Sequence, residues 1–139
     1  MRLISLVLIL FFMTSAFADH AAIKKCTQAE ATQAEKEADS LKDWDQVYRA
    51  YKRFSHCDDG AIAEGYSDSV TKLLADDWKS FNRLLVLTNR NRGFRSFVLK
   101  HVDESAPGDS LAKIANNARS ECPAGGRNLC LSIAKATGK

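Results

Sequence analysis

The chain has 139 residues with 20 Lys and Arg against 17 Asp and Glu, a charge balance too even to hold nucleic acid by neutralising phosphates. Its size allows one modest hydrophobic core, near the range in which covalent cross-links help a fold but are not obligatory.

Met1-Arg2, the apolar stretch Leu3 to Met13 and the ending Thr14-Ser15-Ala16-Phe17-Ala18 follow the plan of a secretory signal peptide: charged start, greasy middle, Ala-x-Ala cleavage site. The apolar run is about a dozen residues, whereas a helix needs about 20 to span a bilayer. Cleavage after Ala18 is expected, leaving residues 19–139 as a single helical domain. The leader carries Arg2 and no acid, so the mature chain has 19 basic against 17 acidic residues. No Cys directly follows the small residues, so a lipoprotein box is absent and a soluble periplasmic or secreted protein is expected.

Thr27 to Leu41 is rich in Ala, Glu, Gln and Lys and has no Gly or Pro, which predicts a helix. Its apolar stripe is only Ala31, Ala34, Ala38 and Leu41, so it gains little from burial and needs a covalent tie to stay docked. Asp43 is placed to cap a second helix in which Trp44, Val47, Tyr48, Tyr51 and Phe54 share one face. Asp58-Asp59-Gly60 reads as a turn that sets carboxylates at the positive end of the next helix. That helix carries Ile62, Tyr66, Val70, Leu73, Leu74 and Trp78 inward, with Glu64, Asp68, Lys72 and Asp76 on a solvated face. Phe81, Leu84, Leu85 and Leu87 predict a short helix, and Thr88 to Gly93 an exposed connection.

Phe94, Phe97, Val98, His101 and Val102 return to helical spacing before a break at Ala106-Pro107-Gly108. Asp109 or Ser110 would cap a helix with the stripe Leu111, Ile114, Ala115 and Ala118. Cys122 to Gly126 is loop, because Pro123 and paired glycines oppose helix, and Asn128 to Ala136 closes the chain as a helix with Leu129, Cys130 and Ile133 inward. No segment alternates at period two. The expected fold is all-α, a compact bundle of six or seven short helices with one or two disulfides.

Cys26, Cys57, Cys122 and Cys130 form an even set in an exported chain, where disulfides are the default. Cys26 opens one predicted helix and Cys57 closes the next, so the ends of an antiparallel hairpin favour Cys26–Cys57 with Cys122–Cys130. The alternative joins Cys57 to Cys122, leaving Cys26 for Cys130.

Motifs for chemistry are weak. Gly65-Tyr66-Ser67-Asp68-Ser69 lacks the second glycine and the preceding strand of a hydrolase nucleophile elbow, so Ser67 and Asp68 read as a polar helix face. His20, His56 and His101 are the only imidazoles. His56-Cys57-Asp58-Asp59 gathers ligand types without the spacing of a zinc site. There is no haem-attachment or Cys-x-x-Cys redox motif, and oxidation would remove Cys57 as a nucleophile. The acid pairs Asp58-Asp59 and Asp76-Asp77 are placed as helix caps rather than as glycosidase carboxylates. No catalytic residue, metal or cofactor is therefore expected. Asn89-Arg90-Asn91-Arg92 projects cationic and amide donors suited to a protein partner's carboxylates. An apolar ligand held among the aromatic segments Trp44 to Phe54 and Trp78 to Phe97 is the alternative function.

The order Cys57-Asp58-Asp59-Gly60-Ala61-Ile62-Ala63-Glu64-Gly65-Tyr66-Ser67-Asp68, then Phe97-Val98-Leu99-Lys100-His101, then Glu121-Cys122-Pro123 resembles the small periplasmic immunity proteins that protect bacteria from amidase effectors of the type VI secretion system. The resemblance runs from about Cys57 to Pro123. The Cys26 hairpin and the tail bearing Cys130 are not part of that pattern. The resemblance implies a catalytically silent protein that occludes a peptidoglycan amidase, with the matched Cys and Gly positions as fold determinants. It also implies a Cys57–Cys122 bridge, against the pairing favoured by the hairpin. Whether the protein forms a homodimer is left open by these patterns.

Overall fold

The computed structural model describes residues 24–102 and 106–138. The expected leader at residues 1–18, and His20, lie outside the described residues. Seven α-helices make up the described fold, with no strand among the described residues: α1 (Gln28–Ala38), α2 (Trp44–Phe54), α3 (Gly60–Asp76), α4 (Phe81–Arg90), α5 (Arg92–Lys100), α6 (Gly108–Ser120) and α7 (Arg127–Ala136). Short 3-10 turns follow α2 at Ser55–Cys57 and precede α4 at Trp78–Ser80. No described helix is long and apolar enough to cross a membrane.

Helix starts follow local chemistry. Thr27 and Glu30 form a reciprocal capping box on α1, and Asp43 accepts the Gln46 N–H at the start of α2. Asp59 caps α3 by accepting the Gly60 N–H. Gly60 holds φ +51, a left-handed conformation that a side chain would resist. For α6 the expected side-chain cap does not form. The helix begins at Gly108 after Pro107, whose fixed φ suits a helix entrance, and neither Asp109 nor Ser110 caps it. Trp78, expected on the preceding helix, lies in the 3-10 turn, stacks on Phe81 at 4.3 Å and donates Nε1–H to the Glu121 carbonyl.

α3 is the central helix: α1, α2 and α6 all pack against it, and α7 covers α6 and α5. Trp44, Tyr66, Phe81 and Phe94 are the bulkiest fully buried side chains. The α1–α3 contact depends on small residues. A Cβ on Gly65 would stand 2.8 Å from Ala38 Cβ and 3.1 Å from the Asp39 nitrogen, inside any tolerable contact. Ser69 locks the end of α1 by donating its hydroxyl to the Ala38 carbonyl at 2.6 Å and accepting the Leu41 N–H at 3.2 Å. On the far side, the Asn117 amide donates to the Leu74 and Ala75 carbonyls and satisfies the open end of α3.

Both disulfides join Cys26 to Cys57 and Cys122 to Cys130. This is the hairpin pairing, and the Cys57–Cys122 bridge implied by the resemblance is not formed. The reason is topological: α1 and α2 run antiparallel, which brings the residue before α1 to the residue after α2. Disulfides of this kind persist in oxidising, extracytoplasmic compartments.

Loop-closure entropy favours the bond that spans 31 residues over the one that spans 8. Replacing both cysteines of the Cys26–Cys57 pair with serine is expected to lower unfolding free energy by about 4 kcal/mol, against about 3 kcal/mol for the Cys122–Cys130 pair, as read by urea denaturation. Gly65→Ala, although better suited to a helix, is expected to cost about 1–2 kcal/mol because overpacking outweighs propensity. A gain in stability from that substitution would show that α1 and α3 can move apart freely.

Candidate functional site

Folding brings together three side chains that are far apart in sequence. Ser67 projects from the middle of α3, His101 follows the last turn of α5, and Asp58 lies between the 3-10 turn and α3. Ser67 Oγ is 3.0 Å from His101 Nδ1, and His101 Nε2 is 3.2 Å from Asp58 Oδ2. Asp58 can only accept as a carboxylate, so Nε2 carries the proton between them, and in that tautomer Nδ1 accepts the Ser67 hydroxyl. Lys100 adds a donor to the same Asp58 oxygen at 2.8 Å and to the Asp58 carbonyl at 3.2 Å. Tyr66 and Phe97 wall the imidazole with edge-on rings at 5.7 and 4.4 Å.

This is the Ser-His-Asp order of a serine hydrolase with the two ring nitrogens exchanged, since there Nε2 faces the serine and Nδ1 the aspartate, and the sequence pattern does not reveal it. Ser67 was expected on a solvated face with Asp68. Asp68 is exposed, whereas Ser67 is buried, because α3 is covered on more than one side. Asp58 was expected as a helix cap, yet its side chain goes to His101 and Lys100 while Asp59 does the capping. The signal that could have placed Ser67 inside is the spacing Ser67, Thr71, Leu74, a second inward row beside Tyr66, Val70 and Leu73.

Nucleophilic catalysis needs more than the relay. An oxyanion must be met by preorganised donors, and a serine in mid-helix is flanked by backbone N–H groups already committed to helical bonds. His101 is only 1% exposed. The groove beside Ser67, about 480 Å³, is walled by Glu35, Asp39, Glu64 and Asp68, whose charge opposes a developing oxyanion. The geometry is that of a polar cross-link between α3 and α5, in which Asp58 Oδ2 takes the hydrogen bonds and its Oδ1 is buried without a partner.

Burial alone would raise the Asp58 carboxyl, but hydrogen bonds and charge from His101 and Lys100 hold it below the ordinary carboxylate value. Burial next to Asp58 pushes the Tyr66 phenol up to about 12. At the start of α1, donation from Lys24 and from Thr27, with His56 beside them, brings Glu30 down to about 2.

The segment Asn89 to Arg92 is not an open loop. Asn89 and Arg90 complete α4, Arg92 starts α5, and Asn91 alone separates them. Its Oδ1 accepts the Phe94 N–H at 2.8 Å, and Tyr51 and Tyr48 reach the same amide at 3.5 Å. The two tyrosines pack on Phe94, ring centroids 5.3 and 4.9 Å away. Asn89, Arg90 and Arg92 are exposed, and no acid pairs with either arginine among the described residues. From residue 78 to 102 there are six Lys or Arg and no Asp or Glu; Asp45 and Asp58 from elsewhere in the chain pair with Arg83 and Lys100, which leaves the positive charge at Arg90 and Arg92 uncompensated. The aromatic segments that could have lined an apolar cavity are packed against one another and against the core instead.

No protein-family model matches the chain, and neither a curated protein nor a solved structure shows significant similarity to it.

Depressed carboxyl values stabilise the fold above the ordinary carboxylate range and lose that contribution as pH falls through the folded value. Stability is therefore expected to decline from about pH 4.5 toward pH 2 as Glu30 takes up its proton, with Asp58 adding to the loss below pH 3.8. Asp58→Ala should cost about 2 kcal/mol at neutral pH by leaving the buried His101 donor without its acceptor, and Glu30→Gln should flatten the acid limb. A denaturation series across pH measures both.

Proposed function

We propose that the chain is an exported, catalytically silent binding protein, an immunity protein or inhibitor that occludes the active site of a peptidoglycan amidase in the periplasm. The observation that carries this reading is the corner between α4 and α5. Arg90 and Arg92 flank a residue fixed by three hydrogen bonds and set over a tyrosine-phenylalanine cluster. Guanidinium groups offered from rigid backbone are suited to carboxylates at a partner's surface, since little ordering entropy is lost on contact. Two further features agree with it. The disulfides suit a compartment outside the cytoplasm, and His101 of the Ser67–His101–Asp58 relay is buried. The resemblance between Cys57 and Pro123 supplies the class of partner.

The test is direct. The mature protein is expected to form a stoichiometric complex with a periplasm-directed amidase effector and to restore growth of cells that receive it. Arg90→Glu with Arg92→Glu should weaken the complex at least about tenfold, mostly through slower association that is sensitive to salt, with no change in melting temperature. Full protection by the doubly reversed protein would move the contact surface elsewhere. Failure to protect against any such enzyme would remove the amidase reading altogether.

A further inference from the structure

The start of α1 and the 3-10 turn after α2 converge on a set of side chains that partner binding does not use. Cys57 is bonded to Cys26. Cys57 Sγ, a nitrogen of His56 and a carboxylate oxygen of Glu30 all lie within 4.8 Å of one another. Glu30 is held in place by its capping role, for Oε2 accepts the Thr27 N–H at 3.2 Å and the Thr27 hydroxyl at 2.9 Å. Oε1 is thereby left 3.2 Å from His56 Nε2. That nitrogen is buried and, despite the distance, makes no well-aligned hydrogen bond. Lys24 approaches Oε1 at 2.6 Å, so a cation already occupies the outer side of the carboxylate. A shallow groove lined by Cys26, His56, Cys57 and Asp59 opens this cluster to solvent.

We propose that reduction of the Cys26–Cys57 bond converts this cluster into a tetrahedral Zn²⁺ site whose ligands are Cys26, Cys57, His56 and Glu30. The electron balance is simple. A phosphine reductant donates two electrons, is oxidised to the phosphine oxide with an oxygen from water, and leaves two thiols. Zn²⁺ then displaces one proton from each thiol, which gives two thiolates, one imidazole and one carboxylate. At bond lengths of about 2.3 Å to sulfur and about 2.0 Å to nitrogen or oxygen, tetrahedral ligands stand roughly 3.3–3.8 Å apart. The ligand atoms of Glu30, His56 and Cys57 already stand within 4.8 Å of one another, and Cys26 is bonded to Cys57. Lys24, 2.6 Å from Glu30, balances the surplus negative charge of the filled site. The site keeps α1 tied to the end of α2 when the disulfide is open, by exchanging one covalent closure for another.

The experiment uses the mature protein, reduced with a water-soluble phosphine without oxygen and titrated with Co²⁺ as a spectroscopic substitute. A thiolate-to-cobalt charge-transfer band and the strong visible bands of tetrahedral Co²⁺ are expected to saturate at one equivalent and to disappear on adding Zn²⁺. The oxidised protein should show neither. Cys122→Ser with Cys130→Ser should retain the bands, Cys26→Ser with Cys57→Ser should lose them, and His56→Ala should weaken Co²⁺ binding by about tenfold or more. Helical circular dichroism is followed in parallel, and any signal lost on reduction should return with Zn²⁺. The proposal is overturned by a reduced wild type without the bands, by bands that persist when Cys26 and Cys57 are both replaced, by His56→Ala and Glu30→Gln proteins that bind as tightly as wild type, or by lost helicity that Zn²⁺ does not restore. None of these results depends on whether the protein inhibits an amidase.

Discussion

Between α2 and α3 the chain turns through Cys57, Asp58 and Asp59, and each of these consecutive residues anchors a different part of the molecule. Cys57 holds the start of α1, Asp58 holds the end of α5 through His101 and Lys100, and Asp59 starts α3. The junction is therefore where local and long-range order meet. α1 illustrates the dependence. Its buried side chains are Ala34 and Ala38, which contribute little apolar area, so its position rests on the disulfide, on the glycine at residue 65 and on the Ser69 hydroxyl at its end.

The buried Ser67–His101–Asp58 line belongs to the same logic. A polar cross-link through a hydrophobic interior costs desolvation, which hydrogen bonds and the charge of Lys100 offset here. What it contributes is uniqueness. Apolar helix faces can slide past one another by a turn at small cost, whereas a serine, an imidazole and a carboxylate in hydrogen-bonded register permit one arrangement of α3 against α5. The corner at Asn91 works the same way at the other end of α5, so this short helix is pinned at both ends by polar contacts and along its length by Phe94 and Phe97.

Apolar periodicity was enough to locate the helices and most of the core, because in six of the seven helices a single stripe faces inward. It misleads at α3, which is enclosed by several neighbours, so that Ser67, Ser69 and Thr71 are interior although they have the look of a wet face. It misleads again at Thr88 to Gly93, where polar composition suggests an open loop. Thr88 in fact satisfies its hydroxyl within α4 by donating to the Leu84 carbonyl, and one asparagine ends α4 and caps α5. The relay between Ser67, His101 and Asp58 spans more than thirty residues at each step. Nothing local in the sequence encodes it. The two cysteine pairings left open by spacing are separated only by the direction of α2, which is a property of the tertiary fold.

Charge is distributed as unevenly as polarity. The α1–α3 groove collects Glu35, Asp39, Glu64 and Asp68, while the stretch from residue 78 to 102 holds only bases. Arg83 and Lys100 in that stretch are engaged by Asp45 and Asp58, and Arg95 reaches the Asn128 carbonyl and the Ser132 hydroxyl of α7. Lys79, Arg90 and Arg92 are the exposed bases of the stretch that no acid engages among the described residues. Arg90 and Arg92 thus stand on either side of a residue held by three hydrogen bonds, which fixes the direction of their backbone. The corner itself is held by the Asn91 hydrogen bonds and by Tyr48 and Tyr51 packed on Phe94, and α5 is tied from its other end by the relay through His101.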